Sequence, residues 1–507
     1  FFLNHCSLIK YKILIKLYFV LISFLQKNSK RTSIFVLGVY LMNNKYFGTS
    51  SFYKRALSIA LPVMAQLLIQ NFVSLIDNFM VAGLGDIKMS GVNVSGQINF
   101  IFMILINTIC MSGGIFMSQF KGAGDKEGMR QSFKFKIFLT GIFGIAYMFV
   151  SFIAPRNLFN LMVTVNKDAS AIVDQSVIYS RAVAVSWILM CVSQSIGSSL
   201  REIEKVKPPL VISIIATVVN TVFNYILIYG NFGAPRLEVA GAAYATVIAR
   251  SVELILFIVY IAVKKPGFVF GIFDAFRINW KLFATLVRKS AMILYSELFW
   301  AISETVSNAL YNTRGGAEIV SGMAAGFAIA NLFFICFSGI VTSSSVIVGQ
   351  ELGAGHIEES RKYKNWILSG ATVFGCVFAV LGCCTTILIP IVFKNLTPAA
   401  QDTAKELVIV AAAYLPLWAF INAQYSISRT GGDTVMGVIC DTVGNALFLA
   451  GMFLLAFLTK LGPVAMYAIV KVSDVPKSVI AWIWLKKERW LVNLTKAGST
   501  EQIQSQS

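Results

Sequence analysis

Long apolar runs separated by short polar connections recur twelve times along the chain. They predict membrane-spanning helices at about 56–82, 90–118, 132–154, 172–199, 208–230, 240–263, 284–312, 318–349, 364–392, 404–428, 433–459 and 462–485. Each run meets the ~20 residues that an α-helix needs to cross a hydrocarbon core. The pattern also repeats at a larger scale. Residues 119–130 read QFKGAGDKEGMR and residues 350–361 read QELGAGHIEESR, so Gln, Gly-Ala-Gly and Arg recur at a constant offset of 231. The expectation is therefore an all-α polytopic membrane protein of two pseudo-symmetric six-helix lobes. A pathway between duplicated bundles is a common design for alternating access, so a duplicated, wholly membrane-embedded chain is most simply a transporter.

Composition agrees. The chain is 57% hydrophobic and only 13% charged, with a mean hydropathy of +0.73, outside the range of a soluble globular protein. Lys and Arg placement predicts orientation, because basic loops stay cytoplasmic. The flanks and even-numbered connections hold 24 Lys and Arg, including Lys134, Lys136 and Arg429, against 8 on the opposite side. Both termini are thus expected in the cytoplasm. The net charge of +19 then reads as a topology signal facing anionic headgroups, with the lipid bilayer and not nucleic acid as its partner.

The expected organisation is a basic extension over 1–52, an N-lobe over 53–263, a linker over 264–283, a C-lobe over 284–490 and a polar tail over 491–507. Residues 1–41 carry six Lys or Arg and no acid, and precede Met42-Asn43-Asn44. They are read as lying outside the native protein, with a basic signal or anchor as the alternative.

Metal and nucleotide chemistry find little support. Seven of the eight cysteines lie within apolar segments, no CxxC or CxxH spacing occurs, and the two histidines are His5 and His356. The Gly-Ala-Gly pairs follow no strand and lack the Gly-Lys-Ser/Thr of a phosphate loop, so they are read as turns that end the second helix of each half. No cofactor is expected, and uphill transport would have to draw on an ion gradient.

Ionisable groups inside lipid are costly and mark candidate function. In the first span Gln70, Ser74 and Asp77 share a face at i, i+4 and i+7, and Pro62 invites a bend near the inner end. Neutralising a carboxylate on a bendable helix would shift the preferred helix geometry. An interfacial Asp near the helix end is the bland alternative. Asn220 and Asn224 in the fifth span offer neutral oxygens, and Thr246 in the sixth adds a hydroxyl; ordinary interhelical hydrogen bonds would explain them equally. Arg250 and Glu253 are expected to pair with each other. In the seventh span Glu297 and Glu304 share a face with Trp300, an acidic and aromatic stripe that suits a lipophilic cation. Lys471 with Asp474, and Asp441 with Asn445, are expected to lock helices or neutralise one another.

The run ALSIALPVMAQLLIQNFVSLIDNFMVAGLG (56–85) resembles the first helix of the multidrug and toxic compound extrusion family, with its Leu-Pro near the inner end. Further matches are QFKGAGDKEGMR, NTVFNYILIYG (220–230), VAGAAYATVIAR (239–250), LYSELFW (294–300) and ISRTGGDT (427–434). The resemblance spans 53–490 and is most similar to the bacterial DinF-like branch. It implies a V-shaped pair of lobes in the bacterial cytoplasmic membrane, a monomer exporting organic cations in exchange for H+ or Na+. It also implies that Asp77, Asn220 and Thr246 belong to an amino-terminal cation site, the one place where Na+ would be held. Asn224 departs from the members that carry a second acid there, which leaves the site one carboxylate and favours proton coupling. Glu297 resembles an acidic position that other branches use. Two alternatives stand beside this reading: a flippase of lipid-linked or peptide-like substrate, and a membrane-embedded enzyme, against which the lack of histidine in the spans argues.

Overall fold

A computed structural model describes residues 45–163 and 168–496. The expectation for residues 1–41 and most of the tail therefore lie outside the described residues. The chain divides into a short unit, 1–48, and a main unit, 49–507, which carries every helix named below.

Twelve helical passes make up the main unit: α1 Ser50–Ala82, α2 Asp86–Gly122, α3 Lys126–Ile153, α4 Ala169–Glu202, α5 Lys207–Tyr229, α6 Glu238–Lys264, α7 Trp280–Asn312, α8 Ala317–Ala354, α9 Ile357–Thr385, α10 Pro398–Thr430, α11 Val435–Leu458 and α12. The twelfth is two pieces, Pro463–Val470 and Asp474–Lys486, joined by a 3-10 turn at Lys471–Ser473. Local chemistry places the starts. Thr49, Asp125, Asn279 and Thr397 each accept a backbone N–H of the first turn, at α1, α3, α7 and α10 respectively. α2 and α8 run 37 and 38 residues, longer than the apolar stretches predict. Their polar ends on the side of the Gly-Ala-Gly segments, called the inner side below, stay helical past the apolar stretch until Gly124 and Gly355, both at positive φ, turn the chain. The Gly-Ala-Gly segments thus end the second helix of each half, as expected, with Ala123, Gly124 and Gly355 in the turns and Gly122, Gly353 and Ala354 still helical.

Ten helices among the described residues are long and apolar enough to span a membrane. α7 and α12 are the two passes that miss. α7 carries Glu297 and Glu304, and α12 carries Lys471, Asp474 and Lys477 and is broken. The sequence expectation of one continuous last span is corrected here. Pro476 has no N–H to give the carbonyl four residues earlier, and the backbone just upstream tightens into the 3-10 turn.

α1 to α6 form one lobe, in which α4 packs on α2, α3 and α6, and α5 on α1 and α6. α7 to α12 form the other, in which α10 packs on α8 and α9, and α11 on α7 and α12. α8 meets α1 and α2 across the junction. At the inner end of this junction the two repeats pack reciprocally. A Cβ added at Gly122 would lie 1.9 Å from the Gln350 carbonyl oxygen, and one at Gly353 would lie 1.8 Å from that of Gln119. Residues beyond α12 then strap the crossing. Gln119 Nε2 donates to the Thr430 and Val492 carbonyls at 2.8 and 3.2 Å, and its Oε1 accepts from Leu494 N at 2.7 Å. Arg361 grips Glu488 with two bonds of 2.7 Å, which holds that carboxyl below the usual carboxylate range.

Large apolar side chains on the outer faces, including Phe79, Ile153, Val263 and Leu458, are exposed, as a lipid solvent requires. Most basic residues assigned from sequence to connections and flanks stand instead in the end turns of helices, and three of them reach the interior or the site described below. Lys134 and Lys136 are buried in α3, and Arg429 lies in the last turn of α10. The asymmetry of the remaining basic residues survives their removal.

Candidate functional site

α1 is shared between the lobes. Its inner half, including Ala60 and Met64, packs against Gly339 of α8, while its outer half runs along α5. Pro62 sits in the inner half, inside an otherwise continuous helix. On the outer half, Asp77 meets both asparagines of α5. Asn224 Nδ2 donates to Asp77 Oδ1 at 2.6 Å, and the Asn220 amide fits with its nitrogen toward the carboxylate, 2.9 Å from Oδ2 and 3.2 Å from Oδ1. The i, i+4 spacing of the asparagines on one helical face produces this double donation. Both asparagines are buried, and Asn224 Oδ1 has no hydrogen-bond partner among the described residues.

Gln70 shares the Asp77 face, and its Nε2 donates to Ser213 of α5 at 3.1 Å. Ser74 does not join them; its side chain is exposed and makes no hydrogen bond among the described residues. Thr246 spends its hydroxyl hydrogen on the Ala242 carbonyl of its own helix, at 3.0 Å. Tyr179 of α4, which sequence reasoning missed, lies near Thr246 and Asp77. A tyrosine within a long apolar helix carries no pattern that singles it out. Asp77 is the one acid in this cluster, and among the described residues no group of three His, Cys, Asp or Glu could hold a metal. Both amide nitrogens thus face the carboxylate as donors.

A second polar centre lies in the other lobe. A cavity of about 880 Å³ opens between α7, α8, α10, α11 and α12, and reaches Met111 and Ile115 of α2 at the junction. Glu297 and Glu304 both line it, as their common helical face predicts, and so do Asp441 and Asp474. Three bases answer the four acids. Arg429 Nη1 donates to Glu297 Oε1 at 3.0 Å, Lys477 Nζ to Asp441 Oδ1 at 2.6 Å, and Lys471 pairs with Glu304. Asp474 accepts the indole N–H of Trp418 at 2.8 Å, and Asp441 the Tyr425 hydroxyl at 3.0 Å. The expected pairings of Lys471 with Asp474 and of Asp441 with Asn445 are corrected: Lys471 pairs instead with Glu304 on α7, and Asp441 with Lys477 on α12, so these groups do tie helices together. Outside the cavity, Arg250 Nη1 pairs with Glu253 at 2.8 Å, as expected. Aromatic rings complete the wall, among them Trp300, Trp418, Tyr425, Phe448 and Tyr467.

Arg429 was the least legible of these residues. It sits beside the Gly431-Gly432 turn and reads as a loop base, yet α10 continues to Thr430 and its last turn points the guanidinium into the cavity, over the Tyr425 ring.

Comparison with known proteins places this architecture. The chain is 24% identical to a probable multidrug resistance protein NorM of Rhizobium meliloti over 71% of this chain and 77% of that one. It is 21% identical to the multidrug resistance protein MdtK of Yersinia enterocolitica, over 75% and 81%. A MOP superfamily transporter from Pyrococcus furiosus, described as having a binding pocket of reverse polarity, superposes with a TM-score of 0.76 at 17% identity, covering 86% of this chain and 95% of that one. The MatE family model matches twice, at residues 62–226 and 292–466, once in each lobe. This multi-pass membrane protein belongs to the MatE family of multidrug and toxic compound extrusion transporters.

Proposed function

We propose that the protein is a secondary antiporter that exports organic cations from the cytoplasm in exchange for a cation, with the proton favoured over Na+. The observation that carries this reading is the double allegiance of α1. The helix delivers Asp77 to the Asn220–Asn224 pair in one lobe and packs its inner half on α8 of the other, with Pro62 in between. Protonation of Asp77 removes the charge from the group that the two amides donate to, so the tie between the outer half of α1 and α5 weakens. The proline, which leaves one backbone carbonyl of the helix without an intrahelical partner, localises the resulting bend. Movement there reaches the junction through α8. Na+ would have to be held by Asp77 together with Asn220, Asn224 and Thr246 after rotation of the amides, and one carboxylate makes that the weaker option. The exported cation would occupy the acidic, aromatic cavity of the other lobe, and reciprocal linkage would make ion and drug compete without sharing atoms.

The placement of basic residues supports both termini in the cytoplasm, and the bacterial relatives support a bacterial cytoplasmic membrane. The three cavity bases give some support to a flippase of anionic substrate, but each is already engaged by an acid.

The test is efflux of a fluorescent organic cation from proteoliposomes holding the full chain, under imposed proton or sodium gradients. Asp77→Asn is expected to lower gradient-driven efflux at least about tenfold while substrate binding persists. Efflux under neither gradient, or full efflux by Asp77→Asn, would overturn the proposal.

A further inference from the structure

Deep in the cavity Lys471 does something that its position in a substrate site makes consequential. Its ammonium lies 4.4 Å from the centre of the Phe448 ring, 5.5 Å from that of Tyr467 and 5.8 Å from that of Trp418, and it pairs with Glu304. Three aromatic faces and a carboxylate around a cation are the groups that recognise an organic ammonium. Here the box is filled by a side chain of the protein. The residue stands at the 3-10 break of α12, where the helix does not hold it in a regular turn, and its long stem lets the head move. Asp474, three residues on, takes its one side-chain hydrogen bond among the described residues from Trp418 and offers the displaced ammonium a second carboxylate. Two further groups on the cavity wall are buried and without a hydrogen-bond partner among the described residues: the Tyr311 hydroxyl and Asn445 Nδ2. A polar ligand inside the cavity would satisfy them.

We propose that Lys471 is a tethered competitor for the cation subsite formed by Glu304, Phe448, Tyr467 and Trp418, and that a cationic substrate binds by displacing it toward Asp474. The inference rests on the reading of this cavity as the place of an organic cation. Its consequence is a specificity rule. A monovalent cation must be traded against the lysine, so only one with enough apolar and aromatic surface to gain additional contacts enters. Small hydrated cations are excluded because they bring nothing that Lys471 lacks.

Removal of the competitor should therefore strengthen binding, the opposite of what loss of a structural ion pair does. Tetraphenylphosphonium binding to the purified full chain, read by fluorescence quenching and by thermal shift, is the measurement. Lys471→Met is expected to lower its Kd by about tenfold or more, with a larger ligand-induced rise in melting temperature than the parent shows. Lys471→Arg keeps the charge on Glu304 and holds it with a fork of donors, so it should fold and bind the probe more weakly than the parent. The double change Lys471→Met with Glu304→Gln removes both charges and should abolish the gain. Equal or weaker binding by Lys471→Met overturns the proposal. Should that variant fail to fold, binding by Lys471→Arg at the parental Kd overturns it instead. Should the parent and every variant fail to bind the probe, the cavity does not take organic cations and the wider reading falls too.

Discussion

Asp77 is held by amide nitrogens, 2.6 Å from Asn224 and 2.9 Å from Asn220 in its fitted orientation, so a single atom exchange can change which ion the site prefers. In Asn224→Asp a second carboxylate would stand where a donor now points, and two carboxylates at that distance cannot both ionise without a cation between them. The variant should gain sodium dependence. Melting temperature measured in NaCl against KCl at equal ionic strength should show no difference for the parent and a stabilisation of about 1–3 kcal/mol at saturating Na+ for the variant. Identical curves for both proteins would mean that the cluster is an interhelical clasp and not an ion site. The residue scale is also where the sequence was least informative. Asp77, Asn220, Asn224, Glu297 and Glu304 are conspicuous because polar groups at helical spacing inside apolar runs are costly. Neighbouring Tyr179 and the Glu297 partner Arg429 are not, because an amphipathic tyrosine and a base beside a turn both have ordinary explanations.

At the scale of elements, hydropathy located all twelve passes, with ends up to seven residues from the observed ones, since each has to satisfy one long-range condition, the thickness of the bilayer. It failed where that condition is relaxed. The inner ends of α2 and α8 stay helical beyond the apolar core, and α12 breaks upstream of Pro476 inside it. α1 is the element on which the proposed cycle depends. Pro62 costs the helix one hydrogen bond, about 3 kcal/mol in a regular interior. Pro62→Ala should restore it, raise the melting temperature and leave substrate Kd within about twofold, yet slow gradient-driven efflux by about tenfold or more. A variant as fast as the parent would show that α1 moves as a rigid rod and that the lever lies elsewhere.

For the whole molecule, the internal repeat predicts more than two similar lobes. Gly122 and Gly353 are separated by the 231-residue offset, and each lies against the backbone of the Gln three positions before its counterpart, so α2 and α8 cross at a contact that is its own mirror. Neither glycine can carry a Cβ unless the helices part, while both lobes can keep their cores. Gly122→Ala and Gly353→Ala should therefore fold, open the inner junction and loosen the strap that hangs from Gln119. Hydrogen exchange at the Leu494 amide, which Gln119 Oε1 now accepts, reports that opening. Each variant should lose protection there by about tenfold or more relative to the parent. The double variant decides the geometry, because helices already parted by one Cβ have room for the other. Its loss of protection should fall well short of the sum of the two single effects in free energy. Additive effects would mean that the two glycines sit in separate contacts and that the repeat has left no common hinge between the lobes.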